Sequence, residues 1–170
     1  YLCARRVQQM NELLIQVFEE NIILAESPQN IVPINRRFQI NSGFLETINS
    51  GIFAFYPYSM LELFLILQQN PAIKGIRADT IRQLHAHLHL IDNIFRADIK
   101  NRSLFMDIIR EGTGLTHTLQ KMNKIGILGA YIPNFGNIVG QMQHDLFHTY
   151  TVDQHTLFLV RNLRRFSCEE

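Results

Sequence analysis

The stretch most able to do chemistry is QMQHDLFHTYTVDQHTL, residues 141–157. It gathers three imidazoles and two carboxylates, contributed by His144, Asp145, His148, Asp153 and His155. In one continuous helix, His144, His148 and His155 would lie near a single stripe, because they are four and then seven residues apart. Imidazole nitrogens and carboxylate oxygens suit Mg, Mn, Fe or Zn, depending on how many of each converge. The residue types are therefore compatible with a metal site.

One helix cannot surround a metal ion, so other elements would have to supply further ligands. From the spacing alone, metal ligation and a polar hydrogen-bonded network are about equally supported. In the network, Asp153 would cap the last helix or hold the tautomer of a histidine. Both interpretations stay open at this point.

A second group of histidines lies in LHAHLHL, at positions 85, 87 and 89. In the helix predicted here, only His85 and His89 share a face, and such a pair binds zinc only when a third ligand approaches. No glutamate follows His85, as a zinc-protease motif would require. We therefore expect these histidines, and the isolated His117, to lie on partly exposed polar faces.

The elements that must position these residues are mainly helices. Apolar residues at three- and four-residue steps predict an amphipathic helix over residues 4–24. Further helices are predicted over 57–70, 78–95 with Asp79 as the cap, 101–112, 114–126 and 151–166, with a turn-rich connector over 127–143. In the last helix, Leu157, Val160 and Leu163 form the predicted apolar stripe. Residues 36–48 predict one small β-hairpin with an Asn-Ser-Gly turn. The predicted fold is mainly α, a helical bundle-like linker domain with one small hairpin.

Composition limits the classes of function. With 170 residues, 46% hydrophobic and 18% charged, the chain predicts a globular core of about one domain. A net charge of +1 gives no support for nucleic acid as a partner. The apolar runs are too short to span a bilayer, and no signal peptide is recognised, so we expect a cytoplasmic protein without a membrane partner. Because the sequence begins at Tyr1 within a predicted helix, we expect a piece of a longer protein.

The segments LGAYIP, IVGQMQHDLFH and YTVDQHT closely resemble one family. It is the family of bifunctional uridylyltransferase/uridylyl-removing enzymes that modify the bacterial PII regulatory protein. Upstream, RVQQMNELLIQVFEE, RRFQINSGFLE and IRADTIRQL fit the same pattern, so the resemblance covers essentially the entire chain.

The resemblance implies a domain organisation. In that family a nucleotidyltransferase domain comes first, a helical linker follows, and then come a metal-dependent HD phosphohydrolase domain and two small glutamine-sensing domains. Residues 1–140 would be the helical linker, and residues 141–170 the junction and first helix of the HD domain. The Gly-Ser turn and Asp-x-Asp pair of the nucleotidyltransferase are absent from the sequence. The resemblance thus implies a non-catalytic scaffold that links two active sites.

The resemblance also selects among the histidines. The first metal ligand of the HD domain falls on His155, and the remaining ligands would lie beyond Glu170. His144-Asp145 precedes that ligand, so it is not the family's His-Asp pair. His144, Asp145, His148 and Asp153 become candidate supporting residues.

For the longer protein, the resemblance implies transfer of UMP from UTP to a tyrosine of PII and hydrolysis of UMP-PII, with Mg²⁺ as cofactor and glutamine as signal. The identity of the HD-site metal stays open, and the 170 residues alone are expected to be inactive and to bind no metal tightly. Two alternatives remain: a stand-alone helical interaction domain, and a small metallohydrolase built on the cluster from 144 to 155.

Overall fold

The structure is a computed structural model that describes residues 30–142 and 150–167, and before them residues 3, 7, 10, 11, 13–18, 20 and 22. The mainly α prediction is confirmed. The strands are β1 (Ile31–Pro33), β2 (Phe38–Asn41), β3 (Phe44–Thr47) and β4 (Gly75–Ile76). The helices are α1 (Ile52–Phe55), α2 (Ser59–Gln69), α3 (Ala78–His87), α4 (Asn93–Ala97), α5 (Ile99–Arg110), α6 (Leu115–Ile125), α7 (Ile127–Tyr131), α8 (Pro133–Ile138) and α9 (Val152–Ser167), with a 3₁₀ turn over Leu88–Leu90.

The predicted hairpin is the centre of a small sheet. Strands β2 and β3 pair antiparallel around Ser42 and Gly43, whose φ angles of 52° and 89° are those of a tight two-residue hairpin turn. The sequence missed two further strands. Strand β1 pairs antiparallel with β2, and β4 pairs parallel with β3, which gives the order β1-β2-β3-β4.

The hairpin packs on the helices through both apolar and charged contacts. Phe38 and Leu45 are fully buried, and the ring centroid of Phe38 lies 6.4 Å from that of Phe53 in α1. Just before β2, Arg37 donates to both carboxylate oxygens of Glu62 in α2, over 2.6 and 2.5 Å. A two-stranded hairpin is marginal alone, so these contacts to α1 and α2 stabilise it.

The core lies around α2, which contributes a nearly continuous run of buried side chains. Helices α5 and α6 pack against α2, and α6 also contacts α3, α7 and α9. The main buried apolar residues are Phe38, Leu45, Phe53, Met60, Leu61, Leu63, Phe64, Leu84, Ile108, Met122 and Ile127. Because these side chains come from most of the elements of residues 30–142, that region shares one core.

The N-terminal segment is helical at its described positions, as predicted. Its buried carboxylate lies at the start of α3: Glu20 is 7% exposed, and its Oε1 accepts the backbone N–H of Ala78 over 2.8 Å. Arg77 lies 3.8 Å from the other oxygen of Glu20 and donates to Glu46 of β3 over 2.6 Å. The carboxylate of Glu20 therefore satisfies an N–H at the positive end of α3.

Two details of the predicted 78–95 helix are wrong. Asp79 does not precede the helix but lies in its first turn, where hydrogen bonds from Arg82 and then Gln83 lower the pKa of its carboxyl group. The helix also ends at His87, and after the 3₁₀ turn the side chain of Asp92 accepts the N–H of Phe95 to start α4. The apolar spacing alone predicts one helix over this segment, but a second N-cap inside it divides the segment into two helices.

Within the part of the chain that the structure describes, no helix combines the length and apolar character needed to cross a bilayer. The longest described helix, α9, has 16 residues and carries several arginines. The predicted domain boundary between residues 140 and 141 stays a prediction.

Helices α7 and α8 approach each other at two glycines. A Cβ added at Gly136 would lie 2.7 Å from the carbonyl oxygen of Gly129, and one added at Gly129 would lie 3.2 Å from the Cα of Gly136. The carbonyl belongs to the backbone and cannot turn aside. The close pair thus fixes how the connector leads from α6 toward α9.

We predict that Gly136→Ala lowers the free energy of unfolding by about 1–3 kcal/mol, because the added methyl group overpacks a backbone contact. Urea denaturation of the chain measures this. Gly112→Ala is the matched control: a Cβ there meets nothing within 4 Å, so a change within about 0.5 kcal/mol is expected. Equal stability of the two variants would contradict the close approach.

Candidate functional site

The structure describes part of the predicted cluster. His144, Asp145 and His148 fall in segment 143–149, which lies outside the described residues. Asp153 and His155 are described, and both lie in the first turns of α9. The described residues therefore show how the start of α9 is anchored and on which side of α9 His155 lies.

Asp153 is the buried anchor of the start of α9. Its side chain is 0% exposed. One carboxylate oxygen accepts from Asn123 Nδ2 of α6 over 2.7 Å, and the other accepts from the backbone N–H of Gly140 over 3.0 Å. Gly140 has a φ of 72°, a left-handed conformation that suits glycine. A buried carboxylate requires such donors, so Asp153 joins α9, α6 and the loop after α8.

The middle and end of α9 are anchored too. Leu157 is 4% exposed in the core. Arg164 donates to the carbonyl oxygens of Glu111 and Gly112 over 2.5 and 2.7 Å, and to that of Ile109 over 3.3 Å. These carbonyls lie at the C-terminal end of α5, where the helix dipole favours a cation. Helix α9 is thus attached over three turns.

His155 lies on the side of α9 opposite to Asp153. His155 is exposed, and its backbone N–H donates to the carbonyl oxygen of Thr151 over 2.9 Å. Residues two apart on a helix point about 200° apart, so the side chains of Asp153 and His155 diverge. The anchored helix therefore presents the imidazole of His155 away from the core.

The described residues do not bring together a ligand set. Among them, no group of three His, Cys, Asp or Glu side chains is placed to hold a metal ion. His155 was predicted to be one ligand of a larger site, and that role stays a prediction. The supporting roles predicted for His144, Asp145 and His148 also stay predictions.

Sequence reasoning missed the two partners of Asp153. Asn123 is 6% exposed and lies beside Met122 on the buried side of α6. A polar residue on an apolar stripe signals a hydrogen-bond partner elsewhere, and this signal could have indicated Asn123. Nothing in the sequence distinguishes the backbone N–H of Gly140.

The upstream histidines form a different arrangement from the one expected. Because α3 ends at His87, the adjacent rings are those of His87 and His89, stacked with centroids 6.3 Å apart, rather than those of His85 and His89. Nδ1 of His87 is hydrogen-bonded to the carbonyl oxygen of Gln83 over 2.8 Å, and Nδ1 of His89 to that of Ala86 over 3.0 Å. Both rings thus bind backbone groups of their own segment.

Two histidines have a lowered pKa. Partial burial lowers the pKa of His85. Partial burial, and secondarily the positive charge of Lys121 one helical turn away, lowers the pKa of His117. Burial also lowers the pKa of Lys121 itself. In the folded chain, His85 and His117 therefore favour the neutral imidazole.

A lowered histidine pKa makes the fold sensitive to acid. The unfolded chain takes up protons near pH 6.5, whereas the folded chain takes them up only at lower pH, so stability falls as pH drops through this window. We predict that the double variant His85→Gln, His117→Gln loses less free energy of unfolding between pH 7.5 and pH 5 than the wild type does. Urea denaturation at the two pH values measures the difference. An unchanged loss in the variant would contradict the lowered pKa values.

Comparison with known proteins finds a matching family profile and several relatives that share one name. A family profile described as "Uridylyltransferase GlnD third domain" matches residues 38–131. The bifunctional uridylyltransferase/uridylyl-removing enzyme of Nitrosococcus oceani is 56% identical over 167 residues, 98% of this chain and 19% of that protein. Those of Pseudomonas fluorescens and Pseudomonas aeruginosa are 51% and 48% identical, over 97% and 100% of this chain.

The chain spans about a fifth of the length of the curated relatives it matches, at 18–19%. No solved structure matches it.

Proposed function

This chain belongs to the family of the uridylyltransferase GlnD third domain, and from that premise we propose that it is the non-catalytic scaffold of a bifunctional uridylyltransferase/uridylyl-removing enzyme. Its task is to hold two opposed active sites at a fixed distance and orientation. One site transfers UMP from UTP to a tyrosine of PII, and the other hydrolyses UMP-PII. Glutamine is the signal that sets the balance between them.

The anchoring of α9 carries this proposal. We call residues 30–142, which share one core, the body. Helix α9 is attached to the body at three points along its length, by Asp153, Leu157 and Arg164. A rigid attachment of this kind transmits position, because the helix cannot tilt or slide without breaking the hydrogen bonds of Asp153 and Arg164. This attachment supports a role in which the body fixes the position of His155.

His155 would be the first ligand of a divalent metal in the uridylyl-removing site. An imidazole that faces outward from an anchored helix suits one coordination position, and the other ligands would come from outside the described residues. When bound, such a metal lowers the pKa of a coordinated water and polarises a phosphoryl oxygen. Mg²⁺ would serve the transfer reaction, where it would neutralise phosphate charge.

The two alternative functions are less well supported. A metallohydrolase built on residues 144–155 needs His144 and His148, which lie outside the described residues. A stand-alone interaction domain needs exposed apolar surface. Such surface exists on the N-terminal segment, where Val7, Met10 and Phe18 are 63–67% exposed, and on α9. These two helices are the first and the last elements of the chain along the sequence, and this order suits contacts within a longer polypeptide.

We predict that His155→Ala in the full-length enzyme abolishes uridylyl removal and leaves uridylyl transfer largely intact, because only the removing site uses this ligand. Both activities are measured on one preparation with PII, and bound metal is measured alongside. His89→Ala is the control, an exposed histidine on the central body. Loss of both activities, or full removal activity without His155, would contradict the proposal.

A further inference from the structure

Two imidazole rings lie stacked at the end of α3. His87 is the last residue of that helix, and His89 lies in the 3₁₀ turn that follows it. Their ring centroids are 6.3 Å apart, and the planes of the two rings differ by 24°. In a continued helix, residues two apart would point about 200° apart. The two rings therefore meet only because α3 ends at His87 and the chain turns.

The hydrogen bonds of these two rings determine which ring nitrogen carries the proton. Nδ1 of His87 lies 2.8 Å from the carbonyl oxygen of Gln83, and Nδ1 of His89 lies 3.0 Å from that of Ala86. A carbonyl oxygen can only accept, so Nδ1 is the donor in both rings. In each neutral ring, Nε2 is then the nitrogen with the lone pair. Both histidines are thus in the tautomer that binds a metal ion through Nε2.

The ring of His87 is supported from the core and open to solvent at Nε2. Phe53 is fully buried, and its ring centroid lies 6.3 Å from that of His87. Among the described residues, Nε2 of His87 is not one of the buried side-chain atoms that lack a hydrogen-bond partner, so it reaches solvent. His89 is an exposed residue. A dissolved ion can therefore approach the Nε2 atoms of both rings.

A carbonyl oxygen behind each ring is the support that metal-binding histidines commonly have. Such histidines almost always donate their second ring N–H to a carboxylate, a carbonyl or water, which orients the ring and raises its basicity. Two imidazole nitrogens suit Zn²⁺, Ni²⁺ or Cu²⁺, whereas Mg²⁺ and Ca²⁺ prefer oxygen ligands. In the described part of the chain, no third His, Cys, Asp or Glu side chain joins the pair. Water would therefore fill the other coordination positions, and binding would be weak.

We propose that His87 and His89 form a two-imidazole binding site for a divalent transition metal ion such as Zn²⁺. Two nitrogens that share one zinc ion lie at most about 4.2 Å apart, because a Zn–N bond is about 2.1 Å long. The exposed side chain of His89 turns to meet this distance, while Phe53 and Gln83 hold the ring of His87. The bound ion joins the last turn of α3 to the 3₁₀ turn and stabilises the folded chain by mass action. This site is independent of the proposed function.

The test is a calorimetric titration of the chain with Zn²⁺, after dialysis against a chelator. We expect His87→Ala and His89→Ala each to lose one equivalent of the zinc binding that the wild type shows. His85→Ala is the matched control from the same LHAHLHL stretch and should keep that equivalent, because His85 has no part in the stacked pair. His155→Ala should keep it too, which separates this site from the metal of the proposed removing site. Dialysis empties a weak site, so metal retained by the dialysed full-length enzyme does not come from His87 and His89.

Stability gives a second measurement of the same binding. At a free Zn²⁺ concentration ten times the Kd of the site, the ratio of unfolded to folded wild-type chain should fall by up to about elevenfold in urea denaturation. His89→Ala changes only an exposed side chain and should abolish this fall, so it decides the test if His87→Ala impairs folding. Full zinc binding in His89→Ala would overturn the site. An equal loss in His85→Ala would also overturn it, because the stretch would then bind zinc without the folded turn.

Discussion

A buried carboxylate is the constraint on which the placement of α9 depends. Asp153 is fully enclosed, and a charge in that position costs several kcal/mol unless donors surround it. Asn123 and the N–H of Gly140 supply donors from two different elements. Their positions must therefore agree, which links the register of α6, the left-handed turn at Gly140 and the start of α9. The close approach of Gly129 and Gly136 lies in the same path between α6 and α9.

The N-terminal helix is also held by a buried carboxylate. Glu20 of the N-terminal helix is buried and accepts the first N–H of α3, while Arg77 joins it to Glu46 of the sheet. Each flanking helix is thus fixed to the body by a carboxylate that receives a backbone N–H. Hydrogen bonds of this kind specify orientation as well as proximity. This is the property that the proposed scaffold role requires.

Local patterns were enough to predict much of the fold. The apolar spacing of residues 114–126 with Gly126 as the stop predicted α6, and Gly126 has the expected left-handed φ of 97°. The turn of the hairpin was predicted for the same reason, since its residues specify their own conformation. Strands β1 and β4 were missed because they have only three and two residues, and β4 depends on a partner about thirty positions earlier in the chain.

The sequence was enough to predict which residue types lie at the start of α9. It was not enough to predict what each of these side chains does in the fold. His155 and Asp153 are two residues apart in sequence and chemically suited to one metal, yet α9 directs one outward and buries the other. Leu157 and Leu163 are equally apolar, and which of them faces the core depends on how α9 packs against α6 and α8. Arg164 differs from Arg161 and Arg165 solely because three carbonyl oxygens at the end of α5 lie within its reach.

The most direct test of the central claim, that the body positions His155 through the Asp153 anchor, compares Asp153→Ala with Asp153→Asn in the full-length enzyme. The asparagine can still accept from Gly140 and can pair with Asn123 once that amide turns over, whereas alanine can do neither. The ratio of uridylyl removal to uridylyl transfer should fall about tenfold or more in Asp153→Ala, because a displacement of about 1 Å is costly in a catalytic site. It should recover at least partly in Asp153→Asn. An unchanged ratio in Asp153→Ala, or an equal loss of both activities, would contradict the account.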